Sequence, residues 1–321
     1  MGKQIALTPG RWRALKACST PESVFTILAF DQRGTYRRML PEGASYSDAV
    51  QTKREIVKTL APLASAVLLD AEYGMPAALE MPGSTGLLMA LEESGYSGDA
   101  TYRQVAFNPD WTVDKISRIG ADAVKLLVYY HPASGELATQ IEVVIKQVAD
   151  EAHRYDLPVF VEPLSYSLDP AIAKDSAVFA GTRASIVIET ARRLSALGID
   201  VLKLEFPIDV AFEPEHYVWR TACESVSAVC QVPWVLLSAG VDFPTFLEQT
   251  RIACESGASG FLAGRAIWKE AVQMVGDART SFLADIAKRR LQELNAAVKA
   301  ARPWTDFYRA PTCEEDWYRS Y

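Results

Sequence analysis

A lysine and a glutamate stand inside an otherwise apolar stretch, residues 201–207 (VLKLEFP), which closely follows Gly198 and ends at a proline. Side chains alternate along a β-strand, so Lys203 and Glu205 would share one face of it. Lys and Glu side chains are almost never fully buried unless they are paired or functional. We therefore predict that Lys203 points into the mouth of a barrel as a nucleophilic amine; an edge strand with a solvated polar face is the alternative.

Other charged residues lie at or near the ends of further predicted strands. Together with Lys203 and Glu205 they are Asp31, Asp70, Glu72, Lys125, Glu162 and Arg265. The interior of a purely structural barrel is filled by Val, Ile and Leu, so charges from several strands favour chemistry over satisfied core ion pairs. A lysine that lies near another cation in a partly dry site has a lowered pKa. Its free amine can attack a carbonyl to form an imine, while a nearby carboxylate moves the protons.

The ends of the last two predicted strands offer groups that bind anions. Ser238 and Gly240 follow one strand, and Gly264 and Arg265 follow the other. They supply a hydroxyl, unencumbered backbone N–H groups and a guanidinium, and barrels frequently bind phosphate in the loops after strands seven and eight. We predict an anion site here; two ordinary glycine turns with a surface arginine are the alternative.

Patterns typical of strands and helices alternate about eight times along the chain, with short connections. The predicted strands are 24–30, 66–70, 121–130, 158–164, 201–207, 233–238 and 260–265, and the predicted helices are 47–60, 111–119, 138–155, 183–197, 215–229, 244–256 and 281–299. Residues 86–91 could be a strand or a helical turn, which a short apolar run does not decide. The alternation favours a closed (β/α)8 barrel over an open doubly wound sheet, because the turn at residues 31–34 (DQRG) lacks the GxGxxG pattern.

We predict a single α/β domain over residues 1–321, a TIM barrel with a core at about 22–300 and helical extensions at both ends. The N-terminal helix falls within residues 1–22, and the tail at 303–321 packs on the barrel or on a neighbouring molecule. Ser47 is the predicted N-cap of the helix at 47–60.

Composition excludes several classes of function. The net charge of −7 argues against non-specific nucleic-acid binding and against attraction to an anionic membrane. There is no apolar run long enough to span a membrane and no secretory leader, and the odd number of cysteines, five, forms no CxxC pair. Three histidines without a metal-binding spacing make a zinc site improbable. We expect a cytoplasmic protein with reduced cysteines and no metal.

Six ordered motifs resemble those of the class I tagatose-1,6-bisphosphate aldolase family. They are AFDQRG (29–34), LLDAEYG (68–74), AVKLLVYY (123–130), VLKLE (201–205), LSAG (237–240) and AGRAIW (263–268). The resemblance spans about residues 20–310, and the scaffold also resembles the related sulfosugar-phosphate aldolases. A proline directly after Glu162 and the placement of His131, where an acidic residue is usual, depart from the family pattern.

The resemblance implies a (β/α)8 barrel that performs Schiff-base chemistry without a metal or cofactor. Lys203 would form the imine with the dihydroxyacetone-phosphate portion of a ketose 1,6-bisphosphate, and Glu162 would be the proton shuttle. Lys125 and Asp31 would assist in the pocket. A sulfosugar-phosphate aldolase and a sugar-phosphate-sensing regulator are the alternatives. The stereochemistry at C4 stays open, and so does the oligomeric state, for which a homo-oligomer is one outcome.

Both lysines could form the imine, and the sequence favours Lys203. Glu205 lies two residues nearer the mouth on the same face, and Glu162 comes from the preceding strand. Lys125 lies one strand further round and would supply the charge that lowers the pKa of Lys203. We add Gln32 and Arg33 to the substrate-binding candidates, which are otherwise the four residues of the anion site. Glu205, Asp70 and Glu72 are secondary candidates.

Overall fold

The computed structural model describes residues 4–319 and 321, and eight parallel strands of these residues close into a barrel. The strands are β2 (Phe25–Ala29), β3 (Ala66–Leu69), β4 (Gly86–Ala90), β5 (Ala123–Tyr129), β6 (Val159–Leu164), β7 (Val201–Leu204), β8 (Trp234–Leu237) and β9 (Gly260–Ala263). Each strand pairs with the next along the chain, and β9 returns to pair with β2. The prediction of a (β/α)8 barrel is confirmed.

Helices surround the barrel because each buries one apolar stripe against it. The α-helices of the described residues are α1 (Pro9–Ala17), α2 (Gly34–Met39), α3 (Tyr46–Leu60), α4 (Met75–Ala78), α5 (Val113–Arg118), α6 (Glu136–Arg154), α7 (Ala177–Leu194), α8 (His216–Val229), α9 (Phe243–Glu255), α10 (Arg265–Trp268), α11 (Gly276–Phe282) and α12 (Lys288–Ala297). In α6 the buried residues recur at helical spacing, from Leu137 through Ile141 and Ile145 to Val148. None of the described helices is long and apolar enough to cross a membrane.

The structure decides three local predictions. The undecided segment at 86–91 is strand β4. The predicted N-cap, Ser47, is wrong: Ser45 caps α3, its hydroxyl accepting a hydrogen bond from the backbone N–H of Asp48 while the Asp48 carboxylate accepts from Ser45. Helix α7 begins at Ala177, six residues before the predicted start at Arg183, because Ser176 caps it. Residues 177–182, which precede the predicted helix at 183–197, are therefore helical as well.

The two ends of the chain meet beneath the barrel, at the N-terminal ends of its strands. Strand β1 (Ile5–Ala6) pairs in parallel with β10 (Tyr308–Arg309). The side chain of Asp200, just before β7, accepts hydrogen bonds from Arg11 of α1 and lies 2.8 Å from His153 of α6. The tail from Trp304 to Tyr308 thus packs on the barrel, with both of these aromatic side chains buried.

Candidate active site

Lys203 of β7 lies in the barrel interior, 3% exposed, with its ammonium near the C-terminal ends of the strands. Its Nζ donates a hydrogen bond of 2.7 Å to Oε2 of Glu162, which β6 supplies. The neighbouring residues of the strand, Leu202 and Leu204, belong to the hydrophobic core. The alternation of the strand therefore separates an apolar face from a face that carries the amine, and the alternative of a solvated edge strand is wrong.

Lys125 of β5 is fully buried beside three carboxylates. Its Nζ lies 2.8 Å from Asp31 Oδ2, 3.0 Å from Glu92 Oε1 and 3.0 Å from Glu162 Oε2. Burial alone would lower the pKa of Lys125, but the three carboxylates outweigh it and raise that pKa above its ordinary value. The ammonium of Lys125 therefore holds the three carboxylates together, and Oε2 of Glu162 lies between the two ammonium groups.

Asp31, two residues after the end of β2, stays ionised in this setting. Burial alone would raise the pKa of its carboxyl, but the positive charges of Lys125 and Lys203 prevail and hold the pKa well below its usual range. Its second oxygen, Oδ1, is buried and has no hydrogen-bond partner among the described residues. That oxygen is an acceptor left for a bound molecule.

Glu92 belongs to this cluster although the sequence analysis did not single it out. Its Oε2 accepts from the backbone N–H of Leu127, and its Oε1 lies 3.1 Å from Nη2 of Arg33. Arg33, a predicted substrate-binding residue, thus pairs with Glu92 and lines a smaller cavity that also holds Glu72. The signal for Glu92 was its place directly after the apolar segment at 86–91, which a firm strand assignment of that segment would have exposed.

A cavity of about 730 Å³ opens above Lys203. Gln32, Glu162, Glu205, Ser238, Gly264 and Arg265 line it together with Lys203. The guanidinium of Arg265 makes no hydrogen bond or ion pair with any described residue, and an added Cβ on Gly240 would lie 2.9 Å from its central carbon. The predicted anion-binding groups after β8 and β9 therefore come together, with a free guanidinium and a glycine that leaves room for it.

Glu205 serves a different purpose from the one its position suggested. Its carboxylate accepts hydrogen bonds from the backbone N–H of Ser165 at 2.7 Å and from Nζ of Lys174 at 2.5 Å. Burial alone would raise its pKa, but the charges of Lys174 and Arg183 lower it below the usual value. Glu205 thus ties down the loop after β6. Sequence analysis could not have found Lys174, because nothing in the loop pattern marked it.

The other two secondary candidates lie away from Lys203. Asp70, directly after β3, forms a buried ion pair with Lys53 of α3 outside the barrel, and Glu72 is exposed. No cluster of three or more His, Cys, Asp or Glu side chains within residues 4–319 and 321 could hold a metal ion. The groups that the site does bring together are two amines, several carboxylates and the anion-binding residues after β8 and β9.

The geometry of the site agrees with what the chain is similar to. A model of the DeoC/LacD family of aldolases matches residues 25–270, which include both lysines, Glu162 and Arg265. The chain belongs to the DeoC/LacD aldolase family. This aldolase is 34% identical to tagatose 1,6-diphosphate aldolase 2 of Enterococcus faecalis, over 94% of its own length and 97% of the relative's. It is likewise 34% identical to tagatose 1,6-diphosphate aldolase of Lactococcus lactis, over 94% and 99%.

Solved structures similar to this aldolase share its fold. A Schiff-base-forming fructose-1,6-bisphosphate aldolase is 19% identical with a TM-score of 0.59, covering 90% of this chain and 99% of that one. An archaeal fructose 1,6-bisphosphate aldolase is 20% identical with a TM-score of 0.60, covering 90% and 98%. At these identities the likeness concerns the barrel itself.

Proposed function

We propose that this aldolase cleaves a ketose 1,6-bisphosphate, such as tagatose 1,6-bisphosphate, into dihydroxyacetone phosphate and glyceraldehyde 3-phosphate through an imine on Lys203. The observation that carries the proposal is the contact of 2.7 Å between Nζ of Lys203 and Oε2 of Glu162, inside a cavity that also holds the unpaired Arg265. The curated relatives named as tagatose 1,6-diphosphate aldolases support this choice of substrate.

The first half of the reaction joins the amine to the substrate. Nζ of Lys203, in its neutral form, attacks the C2 carbonyl of the ketose and gives a carbinolamine. Loss of water then gives a protonated imine, and this dehydration needs a proton delivered to the departing hydroxyl. Glu162 is within hydrogen-bond reach of Nζ, so we assign it as the group that delivers and removes the protons.

The second half breaks the carbon–carbon bond. Removal of the proton from the C4 hydroxyl releases the aldehyde, and the electron pair of the C3–C4 bond moves into the imine to give an enamine. Protonation at C3 and addition of water then free the second product from Lys203. Asp31 and the buried, unpartnered Oε1 of Gln32 are acceptors for substrate hydroxyls, and Arg265 with Gly264 and Ser238 holds the C1 phosphate.

Covalent trapping tests the imine. Reduction with borohydride in the presence of dihydroxyacetone phosphate should attach a three-carbon unit that peptide mapping locates on Lys203. An adduct on Lys125, or an active enzyme that yields no adduct, contradicts the assignment. Turnover should also survive treatment with a chelator, and a loss that zinc restores would contradict Schiff-base chemistry.

A comparison of several ketose phosphates tests the proposed substrate. Tagatose 1,6-bisphosphate, fructose 1,6-bisphosphate and 6-deoxy-6-sulfofructose 1-phosphate should be compared by triose phosphate release, measured with a coupled reductase. Preference for the sulfonated ketose contradicts the proposed substrate while keeping the mechanism, and release from none of them favours a sugar-phosphate sensor. We place the enzyme in the cytoplasm, consistent with five free cysteines in the described residues, and a homo-oligomer stays a prediction.

A further inference from the structure

The connection between β4 and α5 forms an arm over the mouth of the barrel, residues 92–107. Two antiparallel bridges, Glu92 with Phe107 and Ser97 with Gln104, pair its outgoing and returning halves. The arm therefore starts at the buried carboxylate that contacts Lys125 and returns to it, so both halves of the arm are anchored at the edge of the catalytic cluster.

Arg103 of this arm lies among three tyrosine rings. Its guanidinium carbon is 4.6 Å from the ring centre of Tyr96, 5.0 Å from that of Tyr129 and 5.1 Å from that of Tyr166. Its Nε donates to the carbonyl of Ala100 at 2.8 Å, but its two terminal nitrogens make no hydrogen bond or ion pair with any described residue. Contacts with three rings restrict the guanidinium to this position, so its terminal N–H groups are donors held in place for an anion.

The position of Arg103 relative to Arg265 follows from the strand order. Tyr129 is the last residue of β5. Arg265 is the second residue after the end of β9 and comes directly after Gly264. In a closed barrel of eight strands, β5 and β9 are four strands apart and therefore face each other across the mouth. Lys203 on β7 lies midway between them. Arg103 is outside the wall of the main cavity, but it stands beside β5 and β6, and β6 contributes Glu162 to that wall.

Other cations at the mouth are already neutralised. Lys174 and Arg183 share Glu205, and Arg183 also lies 3.6 Å from Asp209. Arg33 pairs with Glu92. An anion gains little from a cation that a carboxylate already binds, whereas the terminal nitrogens of Arg103 and Arg265 have no such competitor among the described residues.

We propose that Arg103 binds the anionic group at the end of the substrate far from the imine, while Arg265 binds the anion on the near side. This inference rests on the proposed function, since it requires a ketose phosphate held at Lys203. The ligand chemistry is a tetrahedral oxyanion, which a C6 phosphate and a C6 sulfonate both provide. Arg103 is accordingly a residue that makes the enzyme select doubly anionic ketoses over ketose 1-phosphates.

Arg103→Met tests the assignment because methionine keeps an unbranched apolar stem and removes the charge. For a ketose 1,6-bisphosphate we expect kcat/KM to fall about ten- to a hundredfold, the loss typical of one hydrogen bond to a charged group. For the matching ketose 1-phosphate we expect a change of less than about twofold by the same reasoning. Arg103→Lys should recover part of the loss. Arg118→Met, which removes an exposed arginine of α5, is the matched control.

Borohydride trapping with dihydroxyacetone phosphate, which lacks the far end, should be unchanged in Arg103→Met and shows that the variant is folded. Equal losses with both substrates, or no loss with either, would overturn the assignment. The assignment would also be overturned if Lys174→Met lost only the activity on the bisphosphate while Arg103→Met kept that activity. Failure of the wild-type enzyme to cleave or trap any ketose phosphate would instead contradict the proposed function.

Discussion

Two lysines among the described residues are completely buried, one outside the barrel and one inside it. Lys53 of α3 lies between the helix and the ends of β2 and β3, and Lys125 lies within the barrel. Nζ of Lys53 contacts Asp70, donates to the carbonyl of Phe30 at 2.7 Å, and lies 4.4 Å from the ring centre of Phe30. Burial lowers the pKa of Lys53, which Asp70 offsets only in part, whereas carboxylates raise the pKa of Lys125.

The comparison shows that a buried lysine ammonium can serve either the stability of the fold or the chemistry of the active site. The outer pair, Lys53 with Asp70, is complete. It joins one ammonium to one carboxylate, and backbone groups take up the remaining hydrogen bonds: Lys53 donates to the carbonyl of Phe30, and Asp70 accepts from the N–H of Tyr73. The inner cluster consists of Lys125, Lys203, Asp31, Glu92 and Glu162. It is incomplete, because Asp31 has a buried oxygen without a partner among the described residues and a cavity opens beside Lys203. A complete pair stabilises the fold, and an incomplete cluster has groups left for a substrate.

The largest expected effect is on turnover. Lys203→Met should lower kcat by at least about 10⁴-fold, as removal of a covalent nucleophile does, and should abolish the borohydride adduct. Its free energy of unfolding should change little compared with the variants below, because Glu162 keeps Lys125 as a partner. A borohydride adduct that still forms in Lys203→Met would show that a residue other than Lys203 forms the imine.

Lys125→Met should be both less active and less stable. It leaves Asp31 and Glu92 buried without the cation that holds them, and breaking a buried ion pair costs about 3–5 kcal/mol. Because Lys203 remains, some adduct should still form, at a lower rate. Denaturant unfolding and the rate of trapping measure the two effects; normal stability combined with normal trapping would contradict a bridging role for Lys125.

Lys53→Met should lose a similar 3–5 kcal/mol of stability by leaving Asp70 unpaired. Its kcat should fall less than that of Lys125→Met, since Lys53 reaches the active site only by holding the carbonyls of Phe30 and Gln32 on either side of Asp31. The double variant Lys53→Met/Asp70→Asn removes both charges and should recover much of the stability. A double variant no more stable than Lys53→Met would argue against charge imbalance as the cause.

The smallest effect is on the pH dependence of stability. The pKa of Lys53 is lower in the folded chain than the unfolded value of about 10.4, so the folded state binds fewer protons and its stability rises with pH just below that value. The pKa of Tyr73, raised to about 12 mainly by burial, keeps that phenol neutral over this interval. We expect the stability of Lys53→Met/Asp70→Asn to rise less than that of the wild type between about pH 8 and pH 10.

The pKa shift of Lys125 has the opposite effect on how the stability of the fold changes with pH. Its folded pKa is raised, so its stabilising contribution is complete below about pH 10.4 and is lost only as the pH rises further. Urea titrations at several pH values measure both slopes. Identical pH profiles for the wild type and the double variant would show that burial does not perturb Lys53.

The inner cluster was predictable to the extent that it depends on strand ends. Lys203, Glu162 and Lys125 lie on strands and Asp31 lies two residues after one, and the closure of a parallel barrel brings such positions together whatever the details of the helices. Glu92 was missed because the short apolar run at 86–91 does not distinguish a strand from a helix, so the residue after it had no assigned place.

Partnerships between distant segments could not be read from the sequence. Asp70 follows its strand just as Asp31 does, but the turn after β3 folds its carboxylate toward α3 and Lys53. Glu205 alternates correctly with Lys203, yet a loop lysine binds it. In both cases the deciding contact comes from a residue whose own position in the sequence carries no chemical signal.

The parallel pairing of β1 with β10 brings two strands from distant parts of the sequence side by side. Ile5 lies opposite Tyr308, so a short added linker that joins these two strands should close the residues between them into a ring, and circular permutation tolerates new ends at exposed connections. Gly120, exposed between α5 and β5 on the face away from the mouth, is a natural place to open the ring. A permutant opened there would carry any fused protein well away from the substrate entrance.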